Sequence, residues 1–214
     1  MEAKKISLKT ITVSIAAILF IETVFRLAMI GKTAALLPAL GIVRCLESVL
    51  LVVIVVWLEK DPGAIGLSRP KLLAGCMKGL IWAACFGIAA GVLFLVLFAA
   101  DINALELLHS PRPSSWQPIF IFLLVGGIIG PIAEEIFFRG IIYGFFRQWG
   151  AIIAIILSTL IFVFTHSFGD NLPFTQLVGG IVFAIAYEKE QNLMVPIIIH
   201  CLGNLAIFGL TIFI

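Results

Sequence analysis

Residues 79–100 read GLIWAACFGIAAGVLFLVLFAA, a stretch with no charged side chain. A helix crossing the hydrocarbon core of a bilayer, about 30 Å thick, needs about 20 mostly apolar residues, and this run supplies them. Outward from it, comparable apolar stretches lie near 10–30, 36–58, 117–146, 151–168, 172–188 and 193–213. The chain as a whole is 62% hydrophobic and 12% charged, against about 45–50% and about 25% in soluble domains. In lipid each backbone polar group must be satisfied within its own segment. The expected fold is therefore all-α, a polytopic transmembrane helical bundle of about seven spans.

The links between spans are short. The two longest, 59–78 and 101–116, carry turn residues: Pro62, Gly63, Gly66 and Pro70 in the first, Pro111 and Pro113 in the second. Residues 1–116 are expected to hold three spans. Residues 117–214 would hold the site-bearing helices, in one membrane domain continuous with the first part. The fifth and sixth spans are short and separated only by Phe168 to Asn171, so a re-entrant pair there would change the count. The first apolar stretch exceeds a cleavable signal core of about 7–15 residues and reads as an anchor.

Net charge is +2, and no basic run or aromatic-basic interleaving points to nucleic acid. Cys45, Cys76, Cys85 and Cys201 are scattered without a C-x-x-C pair and read as inert thiols. With the N-terminus in the cytoplasm, Lys4, Lys5, Lys9, Lys60, Arg69, Lys71, Lys78, Arg147 and Lys189 fall on the cytoplasmic side, and only Lys32 and Arg112 fall opposite. The positive-inside rule favours that orientation, with the C-terminus outside.

Ionisable groups within a span cost at least about 2.5–3.5 kcal/mol each on insertion scales. Glu22/Arg26, Arg44/Glu47 and Glu135/Arg139 stand three or four residues apart, where opposite charges share a helix face. The first two pairs read as self-neutralising structure. Glu134 differs, because adjacent helical residues point about 100° apart and Arg139 favours Glu135. Glu134 must therefore find water or polar groups from another span. Phe162 and His166 share one face of the fifth span, and His200 and Asn204 one face of the seventh; the third histidine, His109, falls in a link. Counted from a turn at Gln148-Trp149-Gly150, Glu134 and His166 are level at about 24 Å. Counted from Asn192, His200 and Asn204 reach only about 12 and 18 Å.

The ordered motifs E-E-x-x-x-R, F-x-x-x-H and H-x-x-x-N resemble those of the CPBP family of intramembrane proteases, which includes CAAX prenyl endopeptidases and bacterial proteins of bacteriocin processing or self-immunity. Here they are Glu134-Glu135…Arg139, Phe162…His166 and His200…Asn204, with Phe138-Arg139-Gly140 and Pro196 also family-like. The resemblance covers about residues 117–210. It implies an endopeptidase acting on membrane-associated or lipid-modified proteins or peptides in the bilayer, in a multi-pass protein of a prokaryotic plasma membrane. By resemblance Glu134 is the general base that activates water, His166 helps hold that water, and His200 and Asn204 stabilise the oxyanion. Glu135, Arg139 and Phe162 support them. No cofactor is implied.

Three other readings stand beside this one. Zinc held by Glu134, His166 and His200 would leave an open fourth position, although no H-E-x-x-H helix is present. A non-catalytic immunity or scaffold protein would keep the fold without the chemistry. A transporter would use buried Glu and His as proton relays but is expected to carry repeats, and none is visible. Substrate identity and oligomeric state are not encoded legibly.

Overall fold

The computed structural model describes residues 6–32, 36–102, 116–166 and 173–213. Seven helices carry them: α1 (Leu8–Ala28), α2 (Leu36–Glu59), α3 (Leu72–Ala99), α4 (116–149), α5 (Ala151–Thr165), α6 (Phe174–Glu190) and α7 (Met194–Phe213), with no strand among the described residues. The all-α membrane bundle expected from the apolar runs is what forms. Five helices, α1 to α4 and α7, are long and apolar enough to cross a membrane. The other two are 15 and 17 residues long, about 22 and 25 Å. They are the pair whose shortness the sequence shows; the link expected at Phe168 to Asn171 lies outside the described residues, as do His109, Pro111 and Pro113.

One boundary moves substantially. α3 starts at Leu72 rather than Gly79. Pro70 sits in a single 3-10 turn, Arg69–Lys71, that leads directly into the helix, where its fixed φ and missing N–H are tolerated. Lys78 does not end the apolar stretch, because its ammonium reaches Glu190 at the end of α6 at 2.6 Å.

α4 is one continuous helix with two widened stretches. Val125–Ile129 and Ile136–Tyr143 have π geometry, on either side of an α-helical piece, Gly130–Glu135. Such i→i+5 bulges are frequent at functional sites, and here they bracket the two adjacent glutamates.

Small residues let the helices meet. Gly41 of α2 packs on Val125 of α4, where a Cβ would come within 2.7 Å of the valine. α3 lies on α7 through Gly75 and Gly79, whose Cβ atoms would stand 2.3 Å from Asn192 and 2.8 Å from Ile198. At one end, the Ile6 amide donates to the Gly144 carbonyl, and the Thr10 hydroxyl donates to Glu59 at the end of α2. The turn between α6 and α7 is fixed by the Leu193 amide, which donates to the Gly66 carbonyl at 3.2 Å. Gly66 has φ +77°, and a Cβ there would lie 2.9 Å from the Leu193 nitrogen, so the close approach requires glycine. The neighbouring Ile65 side chain packs on Gly140 of α4. The start of α7 is thus level with Gly140, well inside the α4–α5 turn.

The main apolar core gathers around this lower half of α4: Ile136, Ile141, Ile142 and Tyr143 with Leu51, Val55, Ile65 and Leu193. By contrast, α3 beyond Cys85 is mostly exposed, as expected of a lipid-facing surface.

Of the pairs expected to be structural, Arg44 and Glu47 join at 2.5 Å. Glu22 lies 3.9 Å from the largely exposed Arg26 but 2.8 Å from Arg44. Antiparallel packing of α1 on α2 offers Glu22 a better partner than its own helix does.

Candidate active site

Glu135 and Arg139 face inward from α4 with no exposed surface, and the guanidinium donates to Glu135 Oε1 at 2.9 Å. A second guanidinium nitrogen donates to the Gly180 carbonyl of α6 at 3.2 Å. The same cation lies over the rings of Phe162 and Phe183, 4.6 and 5.2 Å from their centroids. A desolvated guanidinium over an aromatic face gains about 2 kcal/mol or more. Arg139 therefore ties α4 to α5 and α6 at once.

His200 completes this layer. Its Nδ1 stands 2.7 Å from Glu135 Oε1, and its ring stacks on Phe183 with centroids 4.6 Å apart. Because a carboxylate only accepts, Nδ1 carries the hydrogen, and Nε2 is turned towards the remaining space. Nε2 lies 3.8 Å from Glu134 Oε2.

His166, at the end of α5, is placed the same way by different means. Its Nδ1 donates to the Phe162 carbonyl at 2.8 Å, and its ring packs on the Phe162 ring at 4.5 Å. Its Nε2 is also 3.8 Å from Glu134 Oε2. Glu134 thus meets both histidines at one carboxylate oxygen, at a distance too long for a direct hydrogen bond. Glu134 and His166 are about a quarter exposed, whereas His200 is almost fully covered.

Four of the expected residues, Glu134, Glu135, His166 and His200, therefore converge, with Arg139 and Phe162 behind them. The about 12 Å shortfall expected for His200 is absent. That count assumed that both helical turns lie at one depth, but the α6–α7 turn stands level with Gly140. Seven residues along α7 from Leu193, His200 then comes level with Glu134, six residues up α4 from Gly140. Asn204 shares the His200 face of α7, and its side-chain amide donates to the Gly126 carbonyl at 3.0 Å. Gly126 lies in the first π stretch of α4, so Asn204 satisfies backbone where the helix widens.

Two participants escaped the sequence reading. Phe183 is one of 18 phenylalanines, and nothing around it marks a histidine-stacking role. The Glu135–His200 contact spans 65 positions; only the i, i+4 relation to Arg139 was visible. Among the described residues, no group of three His, Cys, Asp or Glu side chains is arranged to hold a metal ion.

This geometry lies inside a segment with known relatives. Residues 115–206 match the model of a protein family described as type II CAAX prenyl endopeptidase Rce1-like. The match takes in less than half of the chain, which over this stretch is similar to that family. The chain is 40% identical over 94 residues to the membrane-embedded CAAX protease MroQ of Staphylococcus aureus, covering 41% of this chain and 37% of that one. It is 33% identical over 89 residues to the putative membrane peptidase YdiL of Bacillus subtilis, covering 41% and 36%. A third relative, the UPF0177 protein YaiH of Lactococcus lactis, is 32% identical over 85 residues, covering 40% and 35%. The chain matches little more than a third of the length of these curated relatives. No solved structure matches it.

Proposed function

We propose that this chain is an intramembrane endopeptidase that hydrolyses a peptide bond with water activated by Glu134. The observation that carries the reading is the position of one Glu134 oxygen, 3.8 Å from Nε2 of both His166 and His200. A water molecule hydrogen-bonded at about 2.8 Å to Glu134 Oε2 and to His166 Nε2 fits their 3.8 Å spacing. Glu134 would accept its proton as the hydroxyl attacks the carbonyl carbon, then return it to the leaving amine. His166, held through Nδ1, would orient the water.

His200 Nε2 and Asn204 would donate to the oxyanion. Since His200 Nδ1 already donates to Glu135, donation from Nε2 requires the imidazolium, which would lie between two carboxylates. The Glu135–Arg139 pair fixes that ring. The substrate would be a membrane-associated or lipid-modified protein or peptide, in keeping with the names of the relatives. The mechanism as written uses no metal.

The test is cleavage of a membrane-associated peptide by purified, reconstituted protein. Glu134→Gln and His166→Ala are expected to lose activity by about a hundredfold or more, the usual contribution of acid–base catalysis, while inserting normally. His200→Ala is expected to fall by about 10²–10³, as when an oxyanion donor is removed. Full turnover by the pure Glu134 variant would remove it as the base. Turnover is also expected to survive exhaustive chelation; one zinc per chain, lost together with activity, would replace this mechanism with a metal-assisted one. Proton-coupled flux without cleavage would favour a transporter.

A further inference from the structure

Phe183 of α6 lies against His200 and belongs to none of the three motifs. Its ring is stacked on the imidazole, with centroids 4.6 Å apart and planes at 24°. A similar contact exists on α5, where Phe162 packs on His166 at 4.5 Å. The Arg139 guanidinium lies over both phenylalanine rings. Each histidine thus has one phenylalanine against its ring, and one cation spans the two. The F-x-x-x-H spacing announces the first pair, because both members share a helix. The second pair joins α6 to α7.

A hydrogen bond alone does not fix an imidazole. His200 Nδ1 is held 2.7 Å from Glu135 Oε1, which anchors one ring atom. The ring can still swing about that bond, and the swing carries Nε2, 3.8 Å from Glu134 Oε2, with it. A flat side chain packed against the ring at interior density removes this freedom.

α6 makes room for such a side chain. Gly179 stands four residues before Phe183, on the same helix face. A Cβ there would come 3.1 and 3.2 Å from Cζ and Cε2 of the Phe183 ring, tighter than side chains pack. Glycine inside a helix is unfavourable, so its presence calls for a reason, and here the ring fills the space it leaves. Phe183 is also buried in a small core with Ala186, Val195 and Ile199.

We propose that Phe183 is a positioning residue for His200: its ring, seated over Gly179, sets the plane of the imidazole and so the place of Nε2 beside Glu134. The inference deepens the proposed function and rests on His200 acting through Nε2.

The test is steady-state cleavage by purified, reconstituted wild-type, Phe183→Leu, Phe183→Tyr, Gly179→Ala and Val195→Ala proteins, together with histidine-labelled NMR spectra of each. Phe183→Leu keeps an apolar side chain but loses the flat face. Its kcat is expected to fall about tenfold or more, since a misplacement of about 1 Å can cost a hundredfold. Its KM is expected to stay within about twofold, as when an interaction made only in the transition state is lost. Phe183→Tyr keeps the ring and is expected to restore most of kcat, whereas Gly179→Ala, which pushes the ring aside, is expected to lower it. Val195→Ala trims the same small core without removing the ring and is expected to lower stability but not kcat. A stacked aromatic ring shields its neighbour's protons. The His200 ring signals, identified among three histidines with a His200→Gln variant, are therefore expected to move downfield in Phe183→Leu and not in Val195→Ala. Unmoved His200 signals, or a wild-type kcat in Phe183→Leu, would overturn the inference. An equal loss of kcat in Val195→Ala would also overturn it, by reducing the effect to packing. Should Phe183→Leu fail to fold, Gly179→Ala and its His200 signals decide the matter in the same way. If the wild-type protein cleaves nothing, the endopeptidase reading itself fails; if it cleaves and the Phe183 and Gly179 variants match it, only the role of Phe183 is lost.

Discussion

Arg139 has no exposed atom, yet it touches a carboxylate, a backbone carbonyl and two aromatic rings. Its partner Glu135 also receives His200. Removing the cation would leave that carboxylate buried with His200 alone to offset it, so Arg139→Leu is expected to cost about 3–5 kcal/mol. Thermal unfolding in detergent measures it; an unchanged midpoint would show that the pair is not structural. Arg139→Lys retains the charge but not the planar fork or the stacking. It is expected to cost less stability while still lowering cleavage. The residues of this layer were legible in sequence to the extent that helical spacing reports them. E-E-x-x-x-R, F-x-x-x-H and H-x-x-x-N each describe one face of one helix. The bond from His200 to Glu135 was not legible, because it depends on how two helices are docked in depth.

At the scale of elements, helix contacts are set by where small residues meet neighbours. Gly79 lies against Ile198, whereas Gly87 and Gly91, further along α3, have open space around them. Gly79→Val is expected to destabilise the bundle by about 1–3 kcal/mol, the usual cost of overpacking, and Gly87→Val to have little effect. Melting curves of the two variants in one detergent compare them directly. Sequence alone does not rank these glycines. It also set the start of α3 too late, because it read Pro70 and Lys78 as signs of a loop, whereas Lys78 closes a tertiary contact. Donation from that ammonium, aided by the Trp82 indole, holds the Glu190 carboxyl below the usual carboxylate range. A depressed folded value stabilises above the unfolded value, about 4.3, and the contribution disappears as pH falls through the folded value. Glu190→Gln is therefore expected to lower the unfolding midpoint at neutral pH by a small amount and to match wild type near pH 3, as melts across pH would show.

For the whole molecule, the run of apolar segments predicted the architecture well, because bilayer thickness imposes helix length more strongly than any local propensity does. Depth was harder to read, since apolar length does not say which helix ends lie together. The fold brings Lys9, Lys60, Arg69, Lys71, Lys78, Arg147 and Lys189 to one end of the bundle and Lys32 to the other. The positive-inside rule predicts a cytoplasmic position for the first end. In a cysteine-free background, Lys32→Cys is expected to react with an impermeant maleimide added to intact cells, and Gln148→Cys to react only after lysis; the reverse pattern would invert the topology.

The polar groups that close the α6–α7 turn, Asn192 with the Lys71 carbonyl and Glu190 with Lys78, share the depth of Gly140 rather than that of the α4–α5 tip. If headgroups follow this polar ring, the tip stands proud of the membrane, and Glu134 lies only six residues, about 9 Å, beneath the ring. An extended peptide covers about 3.3 Å per residue. A polypeptide descending from the basic face would present its third residue or so to the carboxylate, and a scissile bond much further from the interface would pass beyond it.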